Sequence, residues 1–302
     1  MCRVTVRDRL LALFVVVLWG LNFPATEVAL WHFPPMLMVA LRFGLLALPA
    51  VLFVPRPAVP LRWLIGTGLG IGVLQFLFLY LGMTAGMPAG LASLVLQASA
   101  PFTAVLAGIF LRERLSARGL VGILVAVAGL AVIAVYRAQV AALLPVVLTL
   151  AAALGWAIGN VCSRQARAPK PLHLTLWMSV VPPLPMLVVS LIFEGPQRIA
   201  TTFATLDQAW LSVAGLLYIV LFATVVGYGI WNTLMARNLS SQVAPFSMLV
   251  PIVGVFSSWI AFGEAISWVE AIAGAAVIGG VLYGSRPRRP IPAEIRTEVL
   301  SR

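Results

Sequence analysis

The stretch QASAPFTAVLAGIFLRERLSARG (Gln97–Gly119) returns later in the chain as MLVPIVGVFSSWIAFGEAISWVE (Met248–Glu270). Each copy runs apolar with an early proline and then reaches a glutamate. A Leu or Ile and a serine follow, and a second apolar run begins. A shift of 151 positions places Glu113 on Glu264 and Ser116 on Ser267, with Pro101 and Pro251 one residue out of step. A repeat at half the chain length implies a duplicated structural unit, with function expected between the copies.

The surroundings of the repeat set the solvent. Of 302 residues, 62% are hydrophobic and only 10% charged, where soluble domains carry about a quarter charged residues. The chain therefore reads as an integral membrane protein. A spanning helix needs about 20 apolar residues. Ten such runs are expected, at Leu10–Leu30, Pro35–Val54, Trp63–Thr84, Gly90–Leu111 and Gly119–Tyr136, then Leu143–Ser163, Leu172–Phe193, Trp210–Met235, Val243–Phe262 and Trp268–Gly284. The divisions are a short N-terminus (1–9), a first five-helix unit (10–136), a second (143–284) and a basic tail (285–302). The loops are short, and none could hold a soluble domain. The first run is too long for the apolar core of a signal peptide and has no A-x-A site after it, so it reads as a retained helix.

The basic residues orient the spans. With a cytoplasmic N-terminus and ten spans, 17 of the 20 Lys and Arg fall on cytoplasmic segments. Arg137 and Arg198 fall outside, and Arg42 lies within a span. Both termini are thus expected in the cytoplasm. The net charge of +11 becomes an orientation signal facing anionic lipid, and no nucleic-acid partner is implied. Five spans per half is an odd number, so the second half must be inverted. Inverted repeats are common in secondary transporters, with the substrate site near the midplane between them.

LWGLNF (Leu18–Phe23), LRF (Leu41–Phe43) and the duplicated apolar-Pro…Glu-x-(Leu/Ile)-Ser block resemble the EamA family of the drug/metabolite transporter superfamily. LTLAAALGWAIGNVCSRQ (Leu148–Gln165) and LVPIVGVFSSWIAFGEAIS (Leu249–Ser267) are similar to that family's bacterial exporters of O-acetylserine and cysteine. The resemblance covers the chain to about Gly284. It implies an all-α membrane fold of ten helices in two inverted five-helix repeats, a central cavity, and export across the inner membrane. It also implies a homodimer interface to be sought first on spans five and ten. Glu27 stands where many relatives carry a basic residue.

Polar groups inside the membrane are costly and point to function. Glu27 lies 17 residues beyond Leu10, about 26 Å along the helix. Arg42 lies about 10 Å into the returning span, so the two reach similar depths. They read as an ion pair that serves as an external gate or coupling site, as a site for a zwitterion's charged ends, or as fold-stabilising charges near the interface. Each half opens with a Trp followed by an Asn, Trp19 with Asn22 and Trp156 with Asn160. An amide can grip an ammonium or a carboxylate without trapping it, or it can join two helices. Gln75, Tyr80, Gln97, Trp177, Tyr228 and Asn232 complete a substrate-binding set of uncharged polar and aromatic groups suited to a small amphipathic solute. Glu113 and Glu264 sit on opposite faces and are expected to cap the helices that follow them. Gly66, Gly68, Gly70 and Gly72 are expected to serve close helix packing.

Neither cysteine nor histidine spacing suggests a metal or disulfide. No P-loop appears, so no nucleotide or other cofactor is expected, and energy must come from an ion gradient or the substrate's own. These features point to a secondary exporter of small neutral or zwitterionic metabolites, with amphipathic-cation efflux as the alternative. A membrane-embedded enzyme would need a cluster of His, Asp or Ser at one face, which the loops lack. A structural or sensory subunit would not need polar residues repeated at matching depth.

Overall fold

The structure, a computed structural model, describes residues 5–112, 117–140, 143–238 and 243–284. Glu113, Ser116 and the basic tail lie outside these. Eight helices are long and apolar enough to cross a membrane: α1 (Val6–Leu30), α2 (Pro35–Phe53), α3 (Leu61–Thr84), α4 (Ala89–Phe110), α5 (Ala117–Tyr136), α6 (Leu144–Ala166), α7 (Pro171–Phe193) and α8 (Trp210–Met235). Two shorter apolar helices, α9 (Phe246–Phe262) and α10 (Trp268–Tyr283), complete the set of ten. The expected spans match these to within four residues at their ends. The largest difference is at the start, where Thr5 caps Asp8 N–H and the helix begins at Val6, taking in Arg7 and Arg9.

The packing has the two-fold character that a duplicated chain predicts. Helix α1 packs on α8 and α9, and its counterpart α6 packs on α3 and α4. The self-related pairs are α2 with α7, α4 with α9, and α5 with α10. Gln97 and Met248, which the 151-residue shift makes equivalent, meet each other, with the Gln97 amide 3.5 Å from the Met248 sulfur. That contact marks the pseudo-symmetry axis.

Local irregularities repeat as well. Helix α3 is wound as a π-helix over Gly68–Leu74, and α8 over Tyr218–Val226, the corresponding place. A 3₁₀ turn precedes the proline region in both α4 (Leu96–Ala98) and α9 (Ala244–Leu249). π-segments widen a helix and recur at functional sites; here they redirect the side chains that follow.

Glycines set the tightest seams. Gly66 and Gly70 meet Cys162 and Gly159 on α6, while Gly68 and Gly72 meet Val181 and Pro182 on α7. The expected packing role is therefore split between two neighbouring helices. Gly280 and Gly129 serve the α5–α10 seam in the same way. Trp210 and Trp268, 71% and 75% exposed, start their helices as an interfacial belt would.

The face opposite the N-terminus, here the far face, is clasped by two carboxylates. Glu194 at the end of α7 accepts from Met36 N–H (2.7 Å) and Leu37 N–H (3.0 Å) at the start of α2. Glu264 at the end of α9 accepts from Ala89 N–H (3.1 Å) and Gly90 N–H (3.0 Å) at the start of α4. The expectation that Glu264 caps its own following helix is thus corrected. The donors that need an acceptor belong to the opposite half, because α9 and α4 meet end to start at this face. The following helix has its own cap, a capping box in which Ser267 and Glu270 bond reciprocally.

Candidate functional site

Arg42 is the centre of the polar interior. It is 5% exposed, on α2 about 10 Å below the far face. Its guanidinium lies 3.9 Å from the Phe76 ring centroid, a cation–π stack. One terminal nitrogen donates to Tyr80 Oη at 2.9 Å, and the other to Thr224 Oγ1 at 3.4 Å. The remaining donor, Nε, is buried with no partner. Arginine stays charged in proteins, so a full cation is held between α2, α3 and α8. No carboxylate of the described residues completes it.

Each neighbour has a local reason to be there. Phe76 and Tyr80 share one face of α3, one turn apart, and their rings stand 5.7 Å from each other. Tyr80 is fully buried. Thr224 lies in the π-segment of α8, and its hydroxyl donates to Ile219 O, five residues back, at 2.8 Å. With its proton so used, the oxygen offers only lone pairs, and it accepts from Arg42.

Next to this cation lies an aromatic cluster. The Trp19 ring is 5.2 Å from Tyr228 and 5.0 Å from Trp231, and its indole N–H donates to Ala223 O at 2.9 Å. Tyr228 is close enough to feel the Arg42 charge. Asn232 bonds back to Tyr228 O within α8. Helix α8 thus carries both walls, joined to α1 also by Tyr218 Oη, which donates to Leu18 O at 3.0 Å.

The other expected site residues divide. Asn22 lies three residues from Trp19 on the same stripe of α1, and its Oδ1 is buried with no partner. Gln75, 5% exposed, likewise has an Oε1 with no partner. Both are acceptors, the complement of the Arg42 donor. Asn160 donates to Thr103 on α4 at 3.2 Å, a helix-joining contact. Trp156 packs against the main apolar core. Trp177 is not brought to Arg42: its indole N–H donates to Val54 O at 2.8 Å. It packs on a separate cluster of Leu64, Ala166, Leu174 and Met178. Glu27 is half-buried on α1, and the Glu264 carboxylate is near enough for its charge to act on it. Trp31 and Phe262, whose rings are 5.9 Å apart, pin the same ends of α1 and α9 together. No ion pair joins Glu27 to Arg42 in this structure, since Arg42 turns its fork to α3 and α8.

Sequence reasoning missed Phe76 and Thr224, the two groups that, with Tyr80, hold Arg42. Phe76 sits four residues before Tyr80, a spacing that could have signalled a shared face. Nothing in the run LLYIVLFATVVGYG marks Thr224, because only the π-winding aims it inward.

Comparison with known proteins agrees with this architecture. The model of the EamA-like transporter family matches residues 9–135 and 143–285. A protein of Salmonella typhimurium named "Probable amino-acid metabolite efflux pump" is 44% identical over 293 residues, covering 94% of this chain and 97% of its own. An Escherichia coli protein of the same name is 40% identical, covering 94% and 98%. A "Probable terminal-alkyne amino-acid exporter" of Streptantibioticus cattleyicolor is 27% identical over 204 residues, covering 66% and 65%. A solved crystal structure shares the fold with a TM-score of 0.60 at 18% identity, covering 94% of this chain and 99% of its own. Ten apolar helices in two halves and a family match along both halves lead to one conclusion: the chain belongs to the EamA-like transporter family.

Proposed function

We propose that this transporter exports amino-acid metabolites from the bacterial cytoplasm across the inner membrane, and that the substrate carboxylate seats on Arg42. The observation that carries the reading is the buried guanidinium with an unused Nε donor and no carboxylate of the described residues beside it. A buried charge is ordinarily paired, and a carboxylate is the anion whose geometry the guanidinium fork fits. The acceptors Asn22 Oδ1 and Gln75 Oε1 suit an ammonium group, and the Trp19–Tyr228–Trp231 cluster suits a small apolar side chain. The names of the Salmonella and Escherichia relatives support the substrate class. O-acetylserine and cysteine are the small polar members to test first. Alternating access follows from two inverted halves of similar energy, each able to adopt the other's conformation.

The reading is tested by counterflow in proteoliposomes. Amino acids and O-acetylserine are compared with the amines that lack their carboxylate. Exchange is expected for the acids and not for the amines. Equal exchange of both would remove the carboxylate seat and favour amphipathic-cation efflux, the alternative that a cation at Arg42 otherwise opposes.

Glu27 is the proposed coupling group. It is a carboxylate within a span with no hydrogen-bond partner or counter-charge among the described residues, beside a second negative charge at Glu264. Proton binding relieves the repulsion between them, and proton release restores it. Glu27→Gln is expected to retain substrate exchange but to lose acceleration by an imposed pH gradient. Uptake traces with and without the gradient check this, and an undiminished response in the variant would sink Glu27 as the coupling site.

A further inference from the structure

We propose that Thr224 is a built-in competitor for the substrate: its hydroxyl holds one arm of Arg42, and the substrate carboxylate must displace it. The inference rests on the seating of a carboxylate at Arg42. Three observations carry it. The two bonds of the Arg42 fork are unequal, 2.9 Å to Tyr80 and 3.4 Å to Thr224. They also go to different halves of the chain, since Tyr80 is on α3 beside α2 in the first half, whereas Thr224 is on α8 in the second. Finally, Thr224 keeps a partner when Arg42 leaves, because its hydroxyl donates to Ile219 O at 2.8 Å in either case.

The exchange therefore has a direction. The bond to Tyr80 is short and stays, so Tyr80 is a positioning residue that keeps the fork aimed. The bond to Thr224 is long, lies in the second half, and can be given up without stranding a buried hydroxyl. A carboxylate accepting from the released arm and from Nε makes two charge-assisted bonds where one neutral-acceptor bond existed. Binding thereby cuts a polar tie between α2 and α8, which belong to opposite halves. Substrate binding at one point then loosens the halves at the same point. An internal ligand that occupies the binding group lowers apparent affinity by the fraction of time it holds that group.

The experiment is counterflow of a mixture of the twenty standard amino acids and O-acetylserine, read by mass spectrometry, with wild-type and variant full-length protein in proteoliposomes. Thr224→Val is expected to lower the half-saturating concentration about threefold to tenfold, the worth of one such bond, without raising the maximal rate. Thr224→Ser keeps the oxygen and is expected to match wild type. Tyr80→Phe is expected to move the other way, raising the half-saturating concentration. Thr224→Ala removes the same oxygen with less bulk and repeats the measurement if the valine strains the π-turn. A merely structural Thr224 would raise the half-saturating concentration or leave it alone in both the Val and Ala variants, and either result overturns the proposal. Exchange lost in Arg42→Met but insensitive to Thr224 removes the competitor while leaving the carboxylate seat. Undiminished exchange in Arg42→Met removes both, as does a wild-type protein that exchanges none of the mixture.

Discussion

Arg42→Met is expected to reduce amino-acid counterflow by two to three orders of magnitude while leaving the melting temperature within about 3 °C of wild type. The two halves of that expectation have separate causes. A desolvated charge pair with good hydrogen bonds is worth about 2–5 kcal/mol across a binding site, and each 1.4 kcal/mol is tenfold. Methionine keeps the length and apolar body of arginine but offers nothing to a carboxylate. For the fold, by contrast, the guanidinium is a mixed asset. Its desolvation costs several kcal/mol. The stack on Phe76 returns about 2 kcal/mol, and the bonds to Tyr80 and Thr224 return part of the remainder. Removing it leaves no opposite charge of the described residues stranded, although the Tyr80 hydroxyl loses its donor. Arg42→Lys is expected to fall between the two proteins in transport. A point charge cannot hold Tyr80 and a carboxylate at once as the planar fork does. The checks are counterflow rates and thermal melts in detergent on the same preparations. A fall of 10 °C or more in Arg42→Met would assign the residue to the fold instead.

The fold was legible from sequence because the bilayer fixes so much of it. Hydrocarbon thickness sets helix length, proline and glycine punctuate, and the odd number of spans per half forces inversion. Arg42, Tyr80, Trp19 and Tyr228 were legible as polar or aromatic residues at suitable depth. Depth alone does not say which way a side chain faces, and that is where the reading stopped. Trp177 lies six residues into α7 and reads as deep, yet it faces away to bond Val54 O. Glu264 reads as a cap for the next helix in sequence, yet the nearest unsatisfied N–H groups belong to α4 in the other half. The π-segments of α3 and α8 have no sequence period, and their widening lies where α3 meets α6 and α7 and where α8 meets α1. Thr224 owes its place to that widening, which is why its role emerges only in three dimensions.

Gly70→Leu is expected to abolish recovery of monodisperse protein, and Gly70→Ala to lower the melting temperature by about 10 °C or more. A Cβ on Gly70 would lie 2.4 Å from Gly159 N, 2.6 Å from Gly159 Cα and 2.9 Å from Gly155 O. All three are backbone atoms, so no rotamer change can relieve the clash. The seam is closed from both sides, because a Cβ on Gly159 would in turn lie 2.4 Å from Ile71 Cγ1 and 2.7 Å from Ile71 N. Overpacking a close-fitted core costs about 1–3 kcal/mol even where side chains can shift. Here a whole helix must move, against a total stability of about 5–15 kcal/mol. Gly44 on α2 supplies the control. A Cβ there meets nothing within 4 Å, so Gly44→Ala is expected to be neutral or to gain about 0.5–1 kcal/mol from helix propensity alone. The pair separates the general effect of glycine in a helix from the demand of one seam. The demand is also one of topology: α3 belongs to the first half and α6 to the second, and the α1–α8 seam repeats the device with Gly215, where a Cβ would lie 2.7 Å from Ala25 O. In membranes, where apolar surface gains nothing by leaving lipid, such close backbone approach is a main source of helix association. Gly70→Ala protein that melts early yet keeps wild-type counterflow selectivity would place the glycine seam in holding the halves together, apart from the Arg42 face of α2, α3 and α8.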